Sequence, residues 1–232
     1  MELSGRKKCT CLSCDFRDLV FSSLGDKDIE KICDYKEEIP FLKGAIIHKE
    51  GDPVKYFKYL KEGLVKLYKL APNGDEQIIA ITRPFEFVSN THVFSESHYK
   101  YSLSALEDSV ACCITIDLIK EMVIKNGSFG LKLITVLSRT SEKIISQGLE
   151  IRNRNLAGRV AYVLEYFAKE IYLSKVFDLP VSRREIADFI SMSTANVIRT
   201  FSEFKRDGII NTYGRTIEIL DMNKLEVISK RG

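Results

Sequence analysis

The sequence predicts an α+β protein: an antiparallel β-sandwich or roll, then a long helix, then a winged helix-turn-helix. Three observations carry this. Turn signals recur at roughly ten-residue spacing between Phe41 and Ile116, as in small antiparallel folds. An apolar stripe with alternating four- and three-residue steps follows from Leu133 to Ile151. Val181 to Phe204 then reads VSRREIADFISMSTANVIRTFSEF, two short helical patterns around a tight break, with a two-residue hairpin signal directly downstream. The expected boundaries are 1–25 for a cysteine-bearing segment, 26–127 for the roll, 128–152 for the long helix and 153–232 for the reader.

In the roll, Lys43-Gly44, Glu50-Gly51-Asp52-Pro53, Glu62-Gly63 and Asn73-Gly74-Asp75 mark the turns. Tyr56–Leu60 and Leu64–Leu70 alternate as half-buried strands, and Asn73-Gly74 marks a hairpin leading into Gln77–Ile81.

Leu133, Leu137, Thr140, Ile144, Gln147 and Ile151 would form the seam of a coiled coil on a helix from Ser128 to Arg152, roughly 37 Å long at 1.5 Å per residue. Packing of that stripe on its own domain is the competing reading. A dimer is preferred because so long a helix outgrows a small roll and a two-fold reader needs a two-fold axis. Arg152-Asn153-Arg154-Asn155 is a polar break, and Leu156 to about Leu173 resumes as a helix with Val160, Val163, Leu164 and Phe167 apolar.

In the reader, Ser182 and Glu185 form a capping box, each satisfying a backbone N–H that the first turn leaves orphaned. Ile186, Phe189 and Ile190 make one buried stripe, and Ala187 lets a second helix cross closely. Ser193 caps that second helix, in which Val197, Phe201 and Phe204 face inward. Thr194, Asn196, Arg199, Thr200, Glu203 and Arg206 are expected outward, where Arg suits guanine, Asn suits adenine and a Thr methyl suits thymine. An ordinary helical hairpin with a wet polar face is the alternative. Ile209–Tyr213 and Thr216–Leu220, joined by Gly214-Arg215, read as a wing with Arg215 at its tip, either on a phosphate or there for solubility.

Composition agrees with a globular, soluble chain: 45% hydrophobic, 29% charged, net charge +3. The excess sits in residues 153–232, with 13 Lys/Arg against 10 Asp/Glu, while residues 1–152 balance at 22 each. No run approaches the ~20 apolar residues of a membrane span, and MELSGRKKCTC has no signal-peptide core, so a cytoplasmic location without membrane association is expected. The six cysteines are then expected reduced. His48, His92 and His98 lack metal or triad spacing and no Gly-rich phosphate loop is present, which argues against an enzyme. His92 and His98 lie in a loop that could line an effector pocket. A non-DNA-binding interaction protein is the reading left if DNA binding fails.

Taken together, Lys43-Gly44, Glu50-Gly51-Asp52, Gly63-Leu64-Val65-Lys66 with Tyr68, Asn73–Gln77, Ser182–Ala187, Val197-Ile198-Arg199 and Gly208-Ile209-Ile210 resemble the cyclic-AMP receptor protein and fumarate-nitrate reduction regulator superfamily of bacterial transcription regulators. The resemblance runs from about Cys11 to Leu220. It implies a cyclic-nucleotide-binding-like roll that senses an effector, a long dimerisation helix, and a winged helix-turn-helix on a palindromic promoter site in double-stranded DNA, with RNA polymerase as a further partner. Arg199 matches the family's guanine-reading Arg. The Glu that both named branches carry nearby is here Ala195, so the operator should differ at that base pair.

The cyclic-AMP-binding members also hold the phosphate with a Gly-Glu pair and an Arg-Ser/Thr pair. These places read Ser89-Asn90 and Tyr99-Lys100. Without the Arg fork a phosphodiester loses its bidentate partner, so cyclic AMP is not expected and the effector is unassigned, with Ser89, Asn90, His92, Tyr99 and Lys100 the candidate pocket. Leu106–Cys112 follows the oxygen-sensing branch's LExSxxC pattern, and Cys9, Cys11 and Cys14 cluster at the N-terminus. Together with Cys112 these thiols are candidate ligands of an iron–sulfur cluster, or of zinc, or thiol sensors. The third cysteine that branch carries after Cys-x2-Cys is missing, and plain burial of Cys112 and Cys113 in a strand competes.

The expected mechanism is a homodimer presenting two reading helices to successive major grooves roughly 34 Å apart. Arg199, Asn196 and Thr194 would read bases, while Ser182, Arg183, Ser193 and Lys205 would hold phosphates. A hinge at Asn153–Asn155 would pass the sensed state to the readers.

Overall fold

Local sequence signals become the elements in order. The computed structural model describes residues 14, 17, 20–84, 86–87 and 93–231. In the first part of the chain these are α1 (Asp26–Tyr35), β1 (Glu37–Phe41), β2 (Ile46–His48), β3 (Tyr56–Glu62), β4 (Val65–Leu70), β5 (Glu76–Thr82), β6 (Ser102–Ala105) and β7 (Ser109–Thr115). There follow α2 (Ile116–Lys125), α3 (Gly127–Arg152), α4 (Leu156–Tyr166), β8 (Val176–Asp178), α5 (Arg183–Phe189), α6 (Thr194–Arg206), β9 (Ile210–Tyr213), β10 (Thr216–Ile219) and α7 (Met222–Arg231). No helix among the described residues is long and apolar enough to cross a membrane. The fold is α+β, as expected.

The chain divides into two compact units, residues 1–65 with 82–142, and residues 66–81 with 143–232. In the first, β7 lies between β1 and β3 in an antiparallel sheet, and β2 pairs with β6. Its core is Phe57, Ile114, Ile119, Met122 and Phe129 with their neighbours. Gly63 turns β3 toward β4 with φ of +89°, where a side chain would be strained. The turn also lies against the β6–β7 connection: the Leu64 carbonyl accepts from the Leu106 N–H at 2.7 Å.

In the second unit β4 and β5 form the Asn73-Gly74 hairpin. Helix α4, capped by the Asn155 side chain accepting from Gly158 N, packs against α7 and α6. Val160, Val163, Leu164 and Phe167 are fully buried, at roughly 1.5–3 kcal/mol each for side chains of this size. Strands β8, β10 and β9, in that order, complete the wing.

The long helix forms, but its inward stripe is the one expected to be a dimer seam. Leu133 is 2% exposed in the first unit's core, and Ile151 is 5% exposed. Gln147 is 8% exposed and hydrogen-bonded to Tyr162, while Leu137, Thr140 and Ile144 are half-buried. The apolar residues left exposed on α3 are Leu131, Ile134, Ile145 and Leu149. With Ser138 and Ser141 between them, they repeat the same three- and four-residue steps on another side of the helix.

Candidate nucleic-acid interface

The reading element is built from its caps inward. The Ser182 hydroxyl accepts from Glu185 N at 3.1 Å, and the Glu185 carboxylate accepts from Ser182 N at 2.8 Å, so the predicted box closes in both directions. Ile186, Ala187, Phe189 and Ile190 are buried behind it. The turn between α5 and α6 places Ser191 at φ of +52°, a conformation uncommon for a residue with Cβ. Ser193 then caps α6 by accepting from Asn196 N, and Val197, Thr200, Phe201 and Phe204 face inward.

Ala195, Arg199, Ser202 and Arg206 make the outward line of α6, with Ile198 and Lys205 exposed on one flank. Arg199 is 63% exposed and lies 3.9 Å from Glu203, a loose surface ion pair. Thr194 and Asn196 are half-buried at the helix start. Thr200, expected outward, is 3% exposed, its hydroxyl donating to the Asn196 carbonyl at 2.9 Å. A Thr in a helix can satisfy its hydroxyl on the preceding turn and so bury its methyl.

Two predicted phosphate contacts are occupied within the chain. The Arg183 guanidinium lies 3.6 Å from the Phe201 ring centre, and burial holds its pKa below the usual value. It locks α5 onto α6. At the wing, Gly214 has φ of +62° as a II′ turn requires, but Arg215 turns back. Its guanidinium donates to the carbonyls of Leu179 at 3.0 Å and Pro180 at 3.2 Å, pinning the wing to the connector.

One structural residue of this site was not legible as such. The Lys66 ammonium, on β4, donates to Glu185 at 2.7 Å and also pairs with Glu76. Burial alone would push Glu185 up, yet the Lys66 ammonium and the Ser182 N–H hold it below the usual carboxylate range. Burial likewise opposes charge on Lys66, and the two carboxylates raise it instead. Arg184 pairs with Asp75 beside this. The β4–β5 hairpin is thereby clamped to the capping box of the reader.

Among the candidate effector residues, Ser89, Asn90 and His92 lie outside the described residues. Tyr99 is 3% exposed, stacked on His48 with ring centres 3.7 Å apart under the Lys58 ammonium, and its hydroxyl donates to the Tyr56 carbonyl. Tyr99, expected from the resemblance at the place of the cyclic-AMP binders' Arg, is thus a core residue. Lys100 pairs with Glu96 at the surface. The cavity lined by Lys58, Thr82, Glu86, Leu103 and Ala111 measures about 20 Å³, room for one water.

Of the candidate metal ligands, Cys9 and Cys11 lie outside the described residues. Cys112 is fully buried on β7, with Glu38 and Tyr59 as strand partners, and burial pushes its thiol up to about 11. Cys113 is raised alike. A thiol so held, with no metal bound, is protonated at neutral pH. Cys14 and Cys33 pack at the edge of the same core, and among the described residues no three His, Cys, Asp or Glu side chains are placed to hold a metal ion.

Family models fit this geometry in two blocks. Residues 38–126 match the cyclic nucleotide-binding domain and residues 158–228 the Crp-like helix-turn-helix domain. The chain belongs to the cyclic-AMP receptor protein and fumarate-nitrate reduction regulator superfamily. It is a transcription regulator with a helix-turn-helix DNA-binding domain, not an enzyme. Electron transport regulator A of Shewanella oneidensis is 23% identical over 94% of this chain and 90% of its own. The transcriptional activator Anr of Pseudomonas protegens is 25% identical over 95% and 93%. Among solved structures, FixK2 from Bradyrhizobium japonicum superposes with a TM-score of 0.72 at 22% identity, covering 83% of this chain and 96% of that one. A CRP-family regulator from Thermus thermophilus gives 0.73 at 19% identity over 83% and 96%.

Proposed function

We propose that this regulator works as a homodimer that reads a palindromic promoter site, with Arg199 taking a guanine edge and Asn196 and Thr194 contacting bases from the helix start. The observation that carries this is the outward line of α6, where Arg199 stands exposed over a fully packed reader core. Ser182, Ser193 and Lys205 serve the phosphates, whereas Arg183 and Arg215 hold the reader's own shape. Replacing Arg199 with Ala is expected to lower specific affinity by roughly 1–3 kcal/mol and relax one base position, whereas Lys205→Ala weakens all sequences alike. Fluorescence anisotropy on selected and random DNA at fixed salt checks this; equal losses on both for Arg199→Ala would contradict the assignment.

The dimer forms through the exposed stripe Leu131, Ile134, Ile145 and Leu149 of α3. The signal enters through the N-terminal unit as an effector other than cyclic AMP. The buried Tyr99–His48–Lys58 stack supports this, since it fills the place of the phosphate-binding Arg.

A redox input is the second reading. It is favoured by Cys14 packing on the core that holds Cys112, and by a relative, the anaerobic regulatory protein of Haemophilus influenzae, 22% identical over 96% of this chain and 88% of its own. The described residues supply two of the four candidate thiols and no complete ligand set. Anaerobic purification followed by iron and acid-labile sulfide analysis is expected to return both elements on this reading. Colourless, iron-free protein overturns the cluster.

A further inference from the structure

Ile198 is 52% exposed on a helix whose inward positions are all filled. Single apolar residues are common on protein surfaces. Ile198 differs in its place. It lies in the N-terminal half of the reading helix, one turn after the exposed methyl of Ala195 and next to Arg199, so the two hydrocarbon side chains form one apolar step beside the guanidinium.

The floor of a major groove offers one apolar group, the C5-methyl of thymine. Cytosine presents an N4 amino donor and adenine an N6 amino donor. Beneath a branched hydrocarbon either donor loses its water and finds no acceptor, while a thymine methyl gains contact and sheds its hydration. We propose that Ile198, with Ala195 beside it, selects a thymine next to the guanine taken by Arg199, so that each half-site carries a methyl-bearing pyrimidine at that place. The proposal rests on the base-reading role given to α6 above. It adds a specificity-determining residue that works by shape and desolvation, not by hydrogen bonding.

The experiment starts from the site enriched by selection from random DNA at stated salt. Each thymine is then replaced in turn by deoxyuridine, which removes only the methyl. One position per half-site is expected to weaken binding about fourfold, the worth of one buried methyl group. At the same position 5-methylcytosine should bind better than cytosine by a similar factor. In Ile198→Ser, whose folding is checked by circular dichroism, both differences should vanish. Parent protein indifferent to every deoxyuridine, or Ile198→Ser keeping the full loss, overturns the proposal. Failure to enrich any sequence would instead overturn the base-reading role itself, so the two failures are distinguishable.

Discussion

Glutamate at both Ile134 and Ile145 is expected to leave the protein monomeric at concentrations where the parent is dimeric, and to lower its affinity for a two-half-site operator by roughly 10²–10⁴. The two side chains are 61% and 63% exposed, so burying them only in a dimer makes their charge costly there and nearly harmless in the folded protomer. The loss on DNA arises because a monomer engages one half-site, and the second contact no longer benefits from being tethered to the first. Sedimentation velocity and anisotropy on full and half sites check both parts. Glutamate at Leu133 makes the contrasting control. It places a charge at a position 2% exposed within the first unit's core, and should unfold that unit instead of dissociating a dimer. Should the Ile134/Ile145 variant remain dimeric, the seam lies elsewhere.

Gly63→Ala is expected to destabilise the first unit by about 3–5 kcal/mol, in the range that marks backbone displacement. A Cβ built there meets Ser109 Oγ at 2.3 Å, the Asp108 carbonyl oxygen at 2.5 Å and Ser109 Cα at 2.7 Å. Only the first of these atoms could rotate away; the other two are backbone. The positive φ adds its own cost of roughly 1–2 kcal/mol for an L side chain. Gly44 separates these contributions. Its φ is +83°, but a Cβ there meets nothing within 4 Å. Gly44→Ala should therefore show the conformational cost alone, so that the difference between the two midpoints in urea reports the close approach of the β3–β4 turn to β7. Equal losses for the two variants would mean that the turn has room to relax.

Fold and reading helix were legible because their signals are local. The Ser182–Glu185 box, the stripe Ile186, Phe189 and Ile190, and the Gly214-Arg215 turn each act within one or two turns of chain, where spacing alone determines which groups meet. The strands expected at Tyr56–Leu60, Leu64–Leu70 and Gln77–Ile81 fall within β3, within one residue of β4, and within β5 for the same reason. Several residues of the interface were not legible. Arg183 and Arg215 have the chemistry of phosphate ligands, but a guanidinium on a long stem takes whichever ring or carbonyl the fold brings near, here Phe201 and the Leu179–Pro180 connector. Lys66 reaches Glu185 across 119 residues of sequence, a separation no local pattern encodes.

By itself the sequence determined a winged helix-turn-helix, a β-roll and a long helix, because caps, periodicity and turn residues act over a few positions and repeat in a readable order; that the chain is a regulator came from its resemblance to a family. Only the tertiary structure decided which stripe of that long helix is buried within the protomer. Two apolar stripes with the same three- and four-residue steps share it, and periodicity measures their spacing but not their direction. Packing chose Leu133 and Ile151 for the interior, and that choice left Ile134 and Ile145 outside.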